Sequence, residues 1–406
     1  MSLLSALVLY VGTTWPAAGP LAGVGFALFL APAVVERWRA PITGFLPGWI
    51  LWLWASHWHL NSYHWIAAIL LPPVLTVGYL IAPILAAVLR RTTRGPAWIV
   101  LPLAMGVTEW LAPMINPGNF NLYGAGTFLF DWTVLVQAAD VIGAPGLTLL
   151  WMIPCGLLID VARWWIDGTG PRGRRVVVSG GIASAAVLVA LIGYGLARPA
   201  QITSQPGPRV AIIQPSLDHG YDITRRVVSQ QQRMTARWVE PGEADLVVWP
   251  ENAILADYER SPQYQSVVRW LADSRDAPLL FGAQGTDPTG RRPSNTAYLV
   301  DQTGEITAEY HKVVLFPFTE RRVFPALEKL WPWLHRQVIR LTLLAWRDAP
   351  NGWAPEHPEV VPAEIAGETW RVWTPICYET SYADLGRHAR MQGAQFYVNL
   401  TSTGWM

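Results

Sequence analysis

The sequence predicts a protein in two parts: a polytopic α-helical membrane domain, then a layered α/β domain folded in water. Three observations carry that prediction. Of 406 residues 51% are hydrophobic and 15% charged, with 23 tryptophans, which is unusual for a soluble protein. The apolar residues crowd into the first 197 positions. Beyond Arg198, strand-like and helix-like runs alternate with turn signals, as a layered α/β domain requires. The expected boundaries are a membrane domain over 1–198, a proline-bearing linker over 199–207, and a second domain over 208–406 carrying an insertion at 321–368.

In the first part, apolar segments long enough to span a bilayer are expected at about 3–18, 20–36, 43–59, 65–89, 96–115, 132–162 and 176–197, seven crossings in all. The first lacks a basic start and runs straight into a second apolar segment, so it reads as an anchor rather than a cleaved signal. Arg37 and Arg39, then Arg90, Arg91 and Arg94, then Arg163, Arg172, Arg174 and Arg175 fall in alternate loops, and the intervening loops hold no Lys or Arg. Positive loops stay on the cytoplasmic side, so seven crossings deliver residue 200 onward to the outer face. Glu109 and Asp140 are acidic groups at or near membrane depth, where pairing with a neighbouring helix is the expected explanation. His57, His59 and His64 sit among Trp54, Trp58, Asn61 and Tyr63, which reads as an interfacial belt rather than a metal cluster.

Composition excludes several classes. Two cysteines, Cys155 and Cys377, form no disulfide framework. A net charge of +1, with no basic arm, zinc spacing or phosphate-cradling glycine loop, argues against a nucleic-acid surface.

In the second part, Arg209 to Gln214 reads as a strand, about 222–239 as a helix, Leu246 to Trp249 as a buried strand, about 263–274 as a helix and Leu279 to Gly282 as a strand. A hairpin follows, Ala297 to Val300 turning through Asp301-Gln302-Thr303-Gly304 into Ile306 to Tyr310. Thr369 to Ile376 is β-like. Thr380 to Met391 reads as a helix with Thr380 and Ser381 as N-caps and Arg387 and Arg390 late.

Three residues stand where strands end, the place where α/β folds gather their chemistry. Glu251 follows a buried strand in Trp249-Pro250-Glu251-Asn252, Lys312 follows the hairpin in Tyr310-His311-Lys312, and Cys377 follows the last β-like run. Singly, each has an ordinary explanation: a turn residue or cap, a solvated ammonium, a small buried hydrophobe. Together they supply what acyl transfer needs. A carboxylate takes the thiol proton, the sulfur attacks a carbonyl, and the ammonium with a backbone N–H near Tyr378 stabilises the oxyanion. The expected helix start beside Cys377 favours its thiolate, and Glu320 and Glu379 are candidate orienting carboxylates.

These residues resemble the Glu-Lys-Cys nitrilase superfamily and, within it, the membrane-bound apolipoprotein N-acyltransferases. The resemblance runs over almost the whole chain. It rests on Trp249-Pro250-Glu251, on Tyr310-His311-Lys312 with Glu320 in Phe316-Pro317-Phe318-Thr319-Glu320, on Ile376-Cys377-Tyr378-Glu379, and on the run from Asn399-Leu400 to Trp405. It implies an αββα sandwich, Glu251 as base, Lys312 as oxyanion stabiliser, Cys377 as the acylated nucleophile, and Glu320, Glu379 and Tyr378 in support. It also implies a ping-pong reaction without cofactor or metal, in which a phospholipid acylates the cysteine and the amine of a diacylglyceryl-cysteine lipoprotein takes the chain. The expected setting is a bacterial inner membrane, with a monomer whose catalytic domain faces outward and no nucleic-acid partner. Phe324 to Trp346 is apolar enough for an interfacial arm, or equally for a core-packed insertion.

The chain departs from the family's pattern at Gln214-Pro215-Ser216, at Thr319-Glu320-Arg321-Arg322-Val323 and at Ser402-Thr403, and it stops at Met406 within a loop that family members continue. The expectation is therefore a sandwich incomplete at its C-terminal end. A membrane-tethered amidase and a shortened non-catalytic protein of the conjugal-transfer type remain alternatives.

Overall fold

The computed structural model describes residues 2–35, 81–115, 124–168, 170–203, 206–215, 223–316, 320, 329–333 and 352–402. The expected segment 43–59, most of 65–89, the His57, His59 and His64 group, and residues 321–328 and 334–351 of the expected 321–368 insertion lie outside the described residues. The chain divides into two compact units between Ser204 and Gln205.

The first unit is helical: α1 (Ser2–Thr14), α2 (Pro20–Val35), α3 (Ile81–Thr93), α4 (Ala97–Ile115), α5 (Thr133–Val136), α6 (Ala139–Asp167) and α7 (Gly170–Gln201). α1 packs on α2, α4 along α6, and α6 along α7. The core between them is built from Leu9, Phe26, Leu30, Leu101, Met105 and Met152. The outer faces are apolar too, with Leu7, Trp110, Ile182 and Leu196 all exposed; so much exposed apolar surface fits a lipid solvent better than water. Among the described residues α6 and α7 are long and apolar enough to cross a membrane, while Leu4–Thr14, Pro20–Val34 and Ala97–Leu111 are shorter apolar helices.

Two expectations about these segments need correction. The stretch 132–162 is not one overlong span: α5 precedes α6, and α6 is interrupted at Gly143, whose backbone is non-helical just before Pro145. The stretch 163–175 is not an open loop. α6 continues to Asp167 and α7 already starts at Gly170, so Arg163, Arg172, Arg174 and Arg175 stand on helix ends around a short turn.

Polar groups in this unit are tied to neighbouring helices. Asp140 meets the Arg198 guanidinium at 2.5 Å and accepts the Tyr194 hydroxyl at 2.8 Å, joining α6 to α7. Asp160 of α6 accepts the Trp98 N–H at 3.0 Å and so satisfies an orphan donor in the first turn of α4. Glu109 is an exception to this tying: it is buried, and its Oε1 has no hydrogen-bond partner among the described residues.

The second unit has two sheets. The larger joins β1 (Val210–Ile212), β2 (Leu246–Val248), β4 (Leu279–Thr286), β5 (Pro293–Val300) and β6 (Ile306–His311) in that order, with β3 (Ile254–Asp257) beside β4. β1, β2 and β4 run parallel, and β4, β5 and β6 antiparallel. The smaller joins β7 (Val361–Ile365), β8 (Glu368–Trp373) and β9 (Phe396–Tyr397).

Strand alternation decides the layering. Val247, Leu279, Phe281, Tyr298 and Val300 point to one face, where they meet Val228 of α8 (Ile223–Trp238) and Val268 and Leu271 of α9 (Pro262–Arg275). Leu246, Val248, Leu280 and Leu299 point to the other, against Val361, Ile365 and Val372 of the second sheet. The layers are thus helices, sheet and sheet, and Ala389 of α10 (Ala383–Met391) joins the second cluster. β4 and β5 are longer than their apolar runs predict, because Gly282 to Thr286 and Pro293 to Thr296 also pair across the ladder.

Candidate active site

Glu251 lies three residues past β2, on a segment laid directly over β4. A side chain at Gly282 of β4 would sit 2.7 Å from the Glu251 Cα, so glycine is what permits this approach. Trp249 N–H donates to Leu280 O at 2.9 Å and Gly282 N–H to Pro250 O at 3.2 Å, fixing the segment from both sides. The Trp249 indole is fully buried and donates to Thr235 Oγ1 at 3.0 Å.

Lys312 follows β6 directly and is buried. Its Nζ donates to Glu251 Oε1 at 3.1 Å and to Glu320 Oε1 at 3.0 Å, and its own N–H bonds Asn295 O at 2.9 Å. Burial alone pulls an ammonium pKa down, but the carboxylates of Glu251 and Glu320 override it and hold Lys312 well above the usual lysine range. It is therefore a fixed cation. The Tyr378 ring lies 5.7 Å from Nζ, and the Tyr378 hydroxyl donates to Leu315 O at 3.0 Å.

Asn295, on β5, completes this group and was not singled out from the sequence. Its Nδ2 donates to Glu251 Oε1 at 2.9 Å and to Glu320 Oε1 at 2.7 Å, so both carboxylates share Asn295 as well as Lys312. The amide orientation follows from these partners, since a flipped amide would aim its oxygen at two carboxylates. A signal was present in the sequence: Ser294-Asn295-Thr296 is a polar run inside an otherwise apolar strand, and Ser294 and Thr296 are both buried. Polar residues at such positions are hydrogen-bonded for a reason.

Cys377 sits in the left-handed region with φ of 59°, a strained conformation for a residue with a Cβ, and Asn252 beside Glu251 has φ of 54°. The elbow is held by Cys377 N–H to Leu400 O at 2.7 Å and Leu400 N–H to Pro375 O at 3.0 Å. The thiol stays half-buried rather than sealed. Burial, then the neighbouring Glu251 carboxylate, push its pKa up to about 12, with Lys312 pulling the other way.

That corrects the expectation of a dipole-favoured thiolate. Cys377 opens a short 3₁₀ turn over Cys377–Ser381, and the α-helix starts only at Ala383, with Tyr382 rather than Thr380 or Ser381 at its N-cap. The proton thus stays on sulfur at rest, beside the carboxylate that can take it.

Glu379 stands behind the site, holding its backbone. It is fully buried, and its four acceptor contacts are all to fixed donors: Val313 and Val314 N–H at 2.7 and 2.9 Å on Oε1, Ile376 N–H and the Tyr310 hydroxyl at 2.8 and 3.0 Å on Oε2. Burial raises its pKa, and the N–H groups partly offset this. It staples the loop after Lys312 to the strand end before Cys377. Glu320, in turn, accepts Phe316 N–H at 2.6 Å through Oε2, and the chain returns from the insertion at Gly352, whose N–H donates to Glu320 O at 2.9 Å. Among the described residues no group of His, Cys, Asp and Glu is arranged to hold a metal.

Residues 209–406 match the carbon-nitrogen hydrolase family. This half of the chain is a carbon-nitrogen hydrolase domain. Curated relatives extend the likeness into the helical unit. The apolipoprotein N-acyltransferase of Geobacter metallireducens is 24% identical over 100% of this chain and 77% of its own length, and that of Rhizobium meliloti 28% identical over 95% of this chain and 71% of its own. Among solved structures, an amidase from Nesterenkonia sp. is 21% identical, with 48% of this chain and 64% of that chain covered at a TM-score of 0.34.

Proposed function

We propose that the chain is an N-acyltransferase of the outer face of a bacterial inner membrane, moving a fatty acyl chain from a phospholipid, through a thioester on Cys377, to the N-terminal amine of a diacylglyceryl-cysteine lipoprotein. The observation that carries the chemistry is one contact set: Lys312 Nζ within 3.1 Å of both Glu251 and Glu320, with Cys377 near enough for the Glu251 carboxylate and the Lys312 ammonium to act on its thiol in opposite senses. The names of the relatives support the choice of acceptor.

In this scheme the thiol proton passes to Glu251 as sulfur attacks the ester carbonyl of the phospholipid. The oxyanion forms against the Lys312 ammonium and a backbone N–H of the elbow. Collapse breaks the acyl C–O bond, Glu251 returns its proton to the departing lysophospholipid alcohol, and the acyl chain remains on Cys377 as a thioester. The lipoprotein amine then attacks the thioester, Glu251 takes the amine proton, and the sulfur leaves and recovers that proton. No cofactor enters. Glu320 and Asn295 hold Lys312 and Glu251 in register, and Glu379 fixes the distance between the lysine loop and the elbow.

The test is the intact mass of purified protein after incubation with phospholipid, before and after hydroxylamine, alongside Cys377→Ser. A hydroxylamine-labile acyl mass that needs Cys377, and that transfers to a diacylglyceryl-cysteine peptide, supports the proposal. Release of free fatty acid without transfer points to a hydrolase using water. No adduct on a folded protein overturns the lipid-donor mechanism.

A further inference from the structure

In the helical unit a cleft of about 610 Å³ opens between the last turns of α6 and the first turns of α7. Trp164 lines it from α6, and Arg174, Arg175, Val178, Ser179 and Ile182 line it from α7. Those five positions share one face of a helix, and their chemistry is graded along it. Two guanidinium groups come first, then Val178 and the Ser179 hydroxyl at one level, then Ile182. Arg174 to Ile182 spans about 12 Å of axis. Val178 and Ile182 are 52% and 68% exposed, so the apolar end lies open along the helix surface.

The charge at the other end is unbalanced. Elsewhere in the unit Arg198 meets Asp140 at 2.5 Å and Arg163 approaches Asp167 at 3.7 Å. Among the described residues no carboxylate pairs with Arg174 or Arg175, and the first turn of α7 has no acidic residue. Arginines near a helix N-terminus add to the positive end of its dipole, a repulsion that a bound anion relieves. Trp164 lines the cleft with these charges and Trp165 after it is exposed, aromatic residues of the kind found at a membrane–water boundary.

We propose that this cleft holds one anionic phospholipid, its phosphate on Arg174 and Arg175, its ester region at Ser179, and an acyl chain along Val178 and Ile182. The passage from two cations, through a level where Val178 and Ser179 stand side by side, to Ile182 runs in the sense from headgroup to acyl chain in such a lipid. Arg174 is about 40 Å of helix away from Gln201, where α7 ends, and the proposal assigns this lipid no part in the reaction. The inference rests on α6 and α7 crossing the bilayer and is independent of acyl transfer.

The test uses the delipidated full chain in detergent, titrated with phosphatidylglycerol or phosphatidylcholine, with retained lipid read by native mass spectrometry. The expected result is one phosphatidylglycerol retained in preference to phosphatidylcholine, with that preference falling about 30-fold in R174Q/R175Q, the order that two interfacial arginines contribute. Ile182→Trp fills the apolar end while leaving both charges, and it is expected to release the lipid. Equal retention of phosphatidylcholine overturns the proposal, as does displacement of phosphatidylglycerol by inorganic phosphate, which would mark a free-anion site. If R174Q/R175Q does not fold, the Ile182→Trp arm decides: unchanged phosphatidylglycerol retention there overturns it.

Discussion

Both units bury carboxylates, and they satisfy them in opposite ways. In the helical unit Asp160 is 6% exposed and accepts a helix-start N–H from Trp98, a partner that never changes charge. In the carbon-nitrogen hydrolase domain Glu251 is 5% exposed and shares its oxygen with the Lys312 ammonium and the Asn295 amide, with a thiol within reach. Burial is the same; the partners differ. A carboxylate held by backbone N–H groups is a fastener, whereas one held between a fixed cation and a protonated thiol has somewhere to send and receive a proton. Glu379, inside the hydrolase domain, is of the first kind, with three backbone N–H donors and one hydroxyl.

The largest effect is expected from Lys312→Met. It leaves the buried Glu251 and the half-buried Glu320 without their cation, which costs about 3–5 kcal/mol of stability. It also removes the oxyanion partner, so single-turnover thioester formation is expected to fall by about 10³-fold. Wild-type acylation in a folded K312M protein would place the oxyanion elsewhere.

Glu251→Gln separates reactivity from catalysis. Acylation is expected to drop about 10²- to 10⁴-fold with the loss of the base, while alkylation of Cys377 by iodoacetamide near pH 9 is expected to rise. The reason is the sign of the thiol shift. Burial and the Glu251 carboxylate push the folded thiol up to about 12, so removing that carboxylate leaves Lys312 to pull it down. The same shift sets a pH window for stability. An unfolded cysteine ionises near pH 8.5 while the folded thiol keeps its proton, so stability present below that pH is lost between there and about 12. The loss, followed by urea unfolding, is expected to be smaller in E251Q. If E251Q slows both alkylation and acylation, the carboxylate is not what holds the thiol protonated.

Glu379→Gln tests the fastener inside the hydrolase domain. A glutamine amide aims N–H groups at donors on one side of the clamp, for a cost of about 1–3 kcal/mol. Acylation is expected to fall because Lys312 and Cys377 drift apart, yet the pH dependence of alkylation keeps its wild-type shape. A changed pH profile would mean that Glu379 exchanges protons with the thiol.

The sequence is unequally transparent to these two kinds of carboxylate. Glu251, Lys312 and Cys377 were legible because each follows a strand, and strand ends in an α/β order are readable from period and turn chemistry. Glu320 and Glu379 were legible only as neighbours. What each one grips lies 3 to 69 residues away, at Phe316, Asn295, Val313, Val314, Ile376 and Tyr310, and apart from Phe316 and Ile376 no local pattern encodes such contacts. Asn295 was hidden by its position within a strand, and the elbow at Cys377 by a positive φ that residue type does not announce. Among the described residues of the helical unit hydropathy located α1, α2, α4 and α7 but misplaced the start of α7, because Arg172, Arg174 and Arg175 read as loop residues while the backbone had already closed into helix at Gly170.

Asp160→Ala sharpens the comparison from the other side, and its expected effect is the smallest. The carboxylate reaches the first turn of α4 from α6, so its loss leaves the Trp98 N–H without that acceptor, a capping deficit of about 1 kcal/mol. The helical unit is expected to unfold a few degrees earlier in detergent. Thioester formation on Cys377 is expected to remain within about twofold, the size of effect ordinary for a residue that acts on local stability alone. Asp160→Asn should recover the stability, because an amide oxygen caps a helix start about as well as a carboxylate does. For Glu251 the same exchange of charge for amide is expected to keep the fold and remove the reaction. If Asp160→Asn instead slows thioester formation while stability is intact, its charge serves something beyond capping, and the division between fastening and reacting carboxylates fails at that residue.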